Sequence, residues 1–356
     1  MNREELVALI KGGDMINEMD IAGIDCAGAD LAGGVFIKSN VSRSNLSTSN
    51  LTEVKFVDCD LKECNFGQAQ FTDVSFINCE LDNTLFTATD VSEVNFVNCS
   101  LNRANFHKAN LSQSNFVEPK LQHADLSETN LYFTNFVNAD LSHALLTGAN
   151  MSRTNLIEAN LEGVDILSAN IDQCVFQKPK LNGHNFSGMN LSKTQFREAE
   201  MRDCDFRHAN LVQTSFMNAD LTNSKFDEAE AGFAIFYGSK LNNTSFNKAQ
   251  LEQASMNECD LTDAVLTSAN LVQAQLADAI CERTIFSGSD MTYADLSHAN
   301  LKDADLSNTS LMRANLHEVL DQNAIWDGST KKLALGMDAK RLKAEQWQPK
   351  PRTGEI

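Results

Sequence analysis

The 356-residue sequence is short of most things that mark an enzyme or a membrane protein. It has 4 Pro, 2 Trp and 3 Tyr, and its 29 Lys and Arg stand against 48 Asp and Glu, a net charge of -19. That shortage of cations excludes non-specific attraction to nucleic acid or to an anionic membrane and favours basic partners. No apolar run approaches the ~18 to 20 residues needed to span a bilayer. The opening MNREELVALIKGGD sets Arg3, Glu4 and Glu5 before a short apolar stretch, so it reads as an amphipathic helix and not as a secretory signal. A cytoplasmic location is therefore expected. There is no P-loop, HExxH, nucleophile elbow or dinucleotide fingerprint, and the 9 Cys form no CxxC pair. No catalytic residue, metal ligand set or cofactor site is expected.

What is plentiful is Phe, with 21 residues, and nearly all of them fall on one register. In steps of five from Ile21 the sequence reads Cys26, Leu31, Phe36, Val41, Leu46, Leu51 and Phe56, and it keeps that phase without a slip to Leu316. Two residues earlier stands a small side chain, such as Ala29, Ser39, Ala69 or Ala109, and between the two stands Asn or Asp, as in Asn45, Asn110 and Asp140. The repeat is [A/S/T/C/V]-[D/N]-[L/F]-[S/T/x]-x. A five-residue step fits neither the helical nor the strand period, so a bend every five residues is needed to keep one side chain inward. Phe occupies positions ending in 6, while positions ending in 1 carry mostly Leu, so large and smaller groups alternate around a filled interior.

Segments such as ANLSQSNF, ADLSETNL, ADLSHANL and ADLSNTSL make the chain resemble the pentapeptide-repeat family. The resemblance implies an all-β fold, a right-handed quadrilateral parallel β-helix, with 20 residues per coil. The expected organisation is an N-terminal helical cap over 1–20, a solenoid of about fifteen coils over 21–318, a C-terminal cap over 319–347 and a flexible tail over 348–356. At strand spacing such a rod is roughly 70 Å long. The stretch Ala324 to Leu342 is similar to the segment that often closes such solenoids.

On this frame Cys59, Cys64, Cys79, Cys99, Cys174, Cys204 and Cys259 take the small inward position, and Cys26 and Cys281 the central one, as buried reduced thiols. His184 alone among the His residues occupies a small inward position, which reads as a local packing variation. A convex rod with a filled interior offers no concavity for catalysis, and an unbroken register leaves specificity to the flat faces and the caps.

Two surface features are candidates for partner binding. Asp58, Asp60, Glu80, Glu118, Asp140, Glu158, Glu198, Glu200, Asp220, Glu258, Asp260 and Asp278 gather along one edge, interrupted by Lys120, Lys178, Lys180 and Lys240. Tyr132, Phe133, Phe233, Tyr237 and Tyr293 are the large aromatics off the core register, and Phe133, Phe233 and Tyr293 share a row with Gln113 and Gln213. The leading expectation is a non-enzymatic protein-interaction scaffold or adaptor in a bacterial cytoplasm, an accessory of a larger assembly such as a secretion system, with a protein partner and no direct contact to nucleic acid or membrane. The resemblance also implies an alternative, an acidic DNA mimic binding a type II topoisomerase, as in relatives that protect gyrase from quinolones. A secreted effector is a further alternative.

Overall fold

A five-residue repeat has to turn its chain once per repeat, and the backbone shows how. The residue two after each inward one adopts positive φ along nearly the whole rod, for example Arg43 at 58°, Glu53 at 60° and Phe133 at 58°. At most corners the next amide closes a turn, as Ile24 N–H donates to the Ile21 carbonyl at 3.2 Å. The Asn or Asp of the repeat accepts from the amide two residues on, as Lys62 N–H does to Asp60 Oδ1 at 3.1 Å. Asn side chains also donate to the equivalent residue one coil earlier: Asn110 to Asp90 at 2.9 Å, Asn130 to Asn110 at 2.9 Å.

The computed structural model describes residues 1–347; the flexible tail expected over 348–356 lies outside the described residues. Helix α1 (Arg3–Gly12) precedes ten short strands: β1 (Ile16–Asn17), β2 (Val35–Ile37), β3 (Lys55–Val57), β4 (Ser75–Ile77), β5 (Asn95–Val97), β6 (Asn115–Val117), β7 (Asn135–Val137), β8 (Asn155–Ile157), β9 (Val175–Gln177) and β10 (Gln195–Arg197). They form one parallel sheet in chain order, each residue pairing with the one 20 positions on, such as Phe36 with Phe56. The other sides pair through single parallel bridges at the same spacing, from Asp20↔Asn40 to Asn315↔Leu335. Twenty residues per coil at five per side make a four-sided parallel β-helix, the expected fold class. Helix α2 (Ala339–Glu345) follows the last coil.

One side is flatter than the rest because of its sequence. Ile37, Val57, Ile77, Val97, Val117, Val137 and Ile157 are all β-branched and stay extended, and their corners lack the turn hydrogen bond except at Ile157, where Ala159 N–H reaches the Leu156 carbonyl at 3.5 Å. From Met217 onward that side turns like the others, with Ala219 N–H on the Phe216 carbonyl at 2.9 Å.

Inside, the Phe columns meet as the alternation predicts. Phe76, Phe96 and Phe116 stack at 5.0 and 4.7 Å, Phe86 and Phe106 at 4.7 Å, and the two columns touch edge-on, Phe86 against Phe96 at 90°. All nine Cys are buried and free. Several also donate a weak hydrogen bond across the coils, as Cys64 Sγ does to the Val41 carbonyl at 3.1 Å, the role Ser114 Oγ plays toward Val91 at 2.7 Å.

The pairing is not continuous, which the unbroken register did not anticipate. Bridges join Asp140 to Asn160 and Lys180 to Glu200, and Asn150 to Asn170 and Asn190 to Asn210. Among the described residues none joins Asn160 to Lys180 or Asn170 to Asn190; only the β8–β9–β10 side runs through. Here a 3₁₀ turn covers Ile166–Ser168, Leu146, Leu156 and Ile166 replace Phe in the core, and His184 and Met189 occupy small inward positions of one coil. Both are only half-buried, where their counterparts Cys204 and Ala209 are buried. The parting coincides with two side chains, His184 and Met189, that are larger than the Cys204 and Ala209 filling the same slots one coil on.

Candidate interaction surfaces

The exposed aromatics do not form one patch. At about 4.8 Å per coil, Phe233 lies about 24 Å along the axis from Phe133, and Tyr237 sits on the sheet side with its hydroxyl donating to Glu258 at 2.6 Å. Tyr293 has Arg313 6.0 Å from its ring centre. Tyr132 and Phe133 do pack together, edge-on at 4.7 Å. Arg153, one coil on from Phe133, lays its guanidinium 5.3 Å from the Phe133 ring centre and 5.9 Å from that of Tyr132, donates to the Tyr132 hydroxyl at 3.3 Å and to Gln173 at 3.2 Å. The cluster stands on the corner that leads into β7, next to the outward Asn115, Asn135 and Asn155 row. Arg153 escaped the sequence reading, although its place 20 residues after Phe133 was the available signal.

The acidic residues lie in rows 20 positions apart and are largely answered by their surroundings. Asp60, Asp140, Asp220 and Asp260 each spend Oδ1 on the amide two residues on. Despite its desolvation, Asp140 is held below the usual carboxylate range by hydrogen bonds from Ser142, Gln122 and Asn160. Lys62 bridges Asp60 and Glu80; Lys178 lies 3.7 Å from Glu158; Arg202 and Lys240 lie 2.7 and 4.0 Å from Asp220. Asp58 accepts from Asn78 at 3.0 Å, whereas Glu118, Glu198 and Glu200 are exposed with no ion pair among the described residues.

Where the coils part, a cleft of about 810 Å³ opens, lined by Glu158 to Gly163 on one wall and by Lys178, Lys180, Asn182 and His184 on the other. This corrects the expectation of a rod without concavity.

One cluster of metal-ligand types occurs among the described residues, His298, His317 and Glu345. His317 Nδ1 accepts from the Asp338 amide at 3.0 Å, which leaves Nε2 carrying the proton that points at Glu345, 3.2 Å away. Arg341 donates to the same carboxylate at 2.6 Å. The arrangement is a latch holding α2 on the last coils. No helix among the described residues is long and apolar enough to cross a membrane.

Comparison with known proteins bears on the fold. A model of the pentapeptide repeat region matches residues 49–126, and one of pentapeptide repeats (8 copies) matches 134–166, 169–207, 199–231, 244–280, 269–308 and 279–317. No curated protein matches. Among solved structures, full-length QnrB1, a plasmid-mediated fluoroquinolone resistance protein, is 19% identical over 50% of this chain and 91% of its own, with a TM-score of 0.46. HetL from the cyanobacterium Nostoc sp. strain PCC 7120, a pentapeptide repeat protein involved in heterocyst differentiation regulation, is 20% identical over 95% of this chain and 98% of its own, with a TM-score of 0.14. Rfr23 from the cyanobacterium Cyanothece 51142 is 18% identical over 47% and 90%, with a TM-score of 0.18. At such values these likenesses carry nothing about function.

Proposed function

The chain belongs to the pentapeptide-repeat family, and from that premise we propose that it is a non-enzymatic scaffold in a bacterial cytoplasm, docking a protein partner in a larger assembly such as a secretion system. The observation that carries this reading is the Tyr132, Phe133 and Arg153 cluster beside the flat sheet. Tyr and Arg are the residue types that dominate binding energy at protein interfaces, and here they are fixed against one another before any partner arrives. Beyond the Asn115, Asn135 and Asn155 row, the half-buried stripe of Val117, Val137 and Ile157 adds apolar surface on the same sheet side. A DNA-mimicking topoisomerase binder is less well supported, because Lys62, Lys178, Arg202 and Lys240 interrupt the charge that would imitate a duplex.

The test is photo-crosslinking in the native host from position 132, with position 47 on another side as control. The reading expects a discrete protein adduct from 132 alone, lost with Phe133→Ser or Arg153→Ala while the fold persists by circular dichroism. Equal adducts from both positions would overturn it. So would inhibition of gyrase supercoiling at equimolar protein that disappears when Glu118, Glu198 and Glu200 are changed to Gln.

A further inference from the structure

Parallel β-helices satisfy their backbone by pairing each coil with the next, so a parting of two coils exposes two strand edges inside the rod. Among the described residues, the amides of Leu161 and Gly163 on one wall and of Lys180, Asn185 and Asn190 on the other make no hydrogen bond, and the Ala159, Val164 and Lys180 carbonyls accept none from the facing coil. Their counterparts one coil earlier are paired: Leu141 N–H to the Asn160 carbonyl at 3.0 Å and His143 N–H to that of Glu162 at 2.8 Å. Leu161 and Gly163 on one edge and Lys180 on the other open onto the same cleft, while Asn185 and Asn190 continue the second edge around the coil beyond it. Rows of donors and acceptors at strand spacing are a template for one more strand.

The side chains around the opening add a preference. Lys178 is engaged by Glu158 at 3.7 Å, while exposed Lys180 has no acidic partner among the described residues, and Glu162 across the opening has no basic one. Asn160 and Asn182 are already committed, accepting from the amides of Glu162 at 3.1 Å and Arg202 at 2.8 Å. The geometry points to a second binding site here, one that takes an extended peptide by strand addition, with an acidic side chain of the peptide set against Lys180. The site is on a different side from the Phe133 cluster and stands or falls independently of it.

Short random peptides displayed on phage, selected on the full-length protein, provide the probe. Selected peptides, made synthetically and labelled, are expected to bind saturably by fluorescence anisotropy and to slow hydrogen exchange at Leu161, Gly163 and Asn185. N-methylation of alternate peptide amides is expected to weaken binding at least about tenfold, because it removes the ladder donors, and Lys180→Glu to weaken peptides bearing Asp or Glu. Changing His184 and Met189 both to Ala is expected to let the coils close and to abolish binding, with the far-ultraviolet spectrum unchanged. The site is refuted if selection enriches no peptide, if N-methylation leaves affinity unchanged, or if the free wild-type protein already protects the Leu161 and Gly163 amides as well as it does Leu141.

Discussion

At the scale of single residues, the recurring demand is a left-handed backbone at every fifth position, and the sequence meets it with whatever side chain solvent tolerates. Thr48 is the worst suited: it is β-branched and held at φ 56°, while the matching place one coil earlier is Gly28 at 67°. Thr48→Gly is expected to stabilise the protein by about 1 kcal/mol in urea unfolding, the left-handed penalty outweighing the added chain entropy and the lost bond from Thr48 Oγ1 to Ser47; a lower urea midpoint would contradict this. The thiols offer a second test. Burial pushes Cys64 and Cys204 up to about 12 and Cys259 up to about 11, whereas a hydrogen bond with Cys79 lowers Cys99, so at about pH 8 a thiol reagent is expected to leave Cys64, Cys204 and Cys259 unmodified in the native protein and to label them once urea is added. The inward Cys, Phe and Ala positions were all legible in the sequence, because burial selects for size. The left-handed position was not, since Glu, Arg, Asn and Gln occupy it indifferently and point to water.

At the scale of elements, the two caps are held by different physics. The amphipathic character of α1 was readable from the opening sequence; the Asn2 and Glu5 capping box closes its first turn, Leu6 and Ile10 are buried, and Gly34 explains how the helix seats: a Cβ there would stand 3.2 Å from Ile10 Cδ1 and 3.0 Å from the Leu31 carbonyl. The α2 latch was not readable, because His298, His317 and Glu345 are far apart in sequence and meet only once the last coils form. Arg341 first, then His317 and His298, lower the Glu345 carboxyl from its usual 4.5 to about 2. A depressed carboxyl stabilises above its unfolded value and ceases to do so as pH falls through its folded one, so α2 is expected to loosen between about pH 4.5 and about pH 2. Hydrogen exchange at Asp338, whose amide is bound by His317, would report the loosening, and Glu345→Gln should produce it at neutral pH. An Asp338 amide equally protected at pH 3 and pH 7 would show that the latch contributes nothing.

At the scale of the molecule, stability in a stacked array is close to a sum of neighbouring coil contacts, so one poor contact limits the whole. The weak contact here lies between the coil ending at Asn170 and the one ending at Asn190, and if His184 and Met189 cause it, removing that coil should mend the rod. Deleting residues 171–190 takes out one full coil and keeps the phase. It brings Leu161 and Gly163 beneath Glu200 and Arg202, whose carbonyls now accept from Leu181 and Gly183 at 2.8 and 2.7 Å. Ala159, Val164 and Ala169 then face Ala199, Cys204 and Ala209, small groups throughout. The shortened protein is expected to unfold in one transition at a higher urea midpoint than the parent, each restored ladder bond contributing about 1 kcal/mol. Deleting 211–230, an equally long coil within an intact stretch, should give no such gain, because it removes a good contact together with its residues. If both deletions behave alike, or if Leu161 and Gly163 still exchange freely after the first, the parting originates in the 3₁₀ turn at Ile166–Ser168 and not in the two oversized side chains.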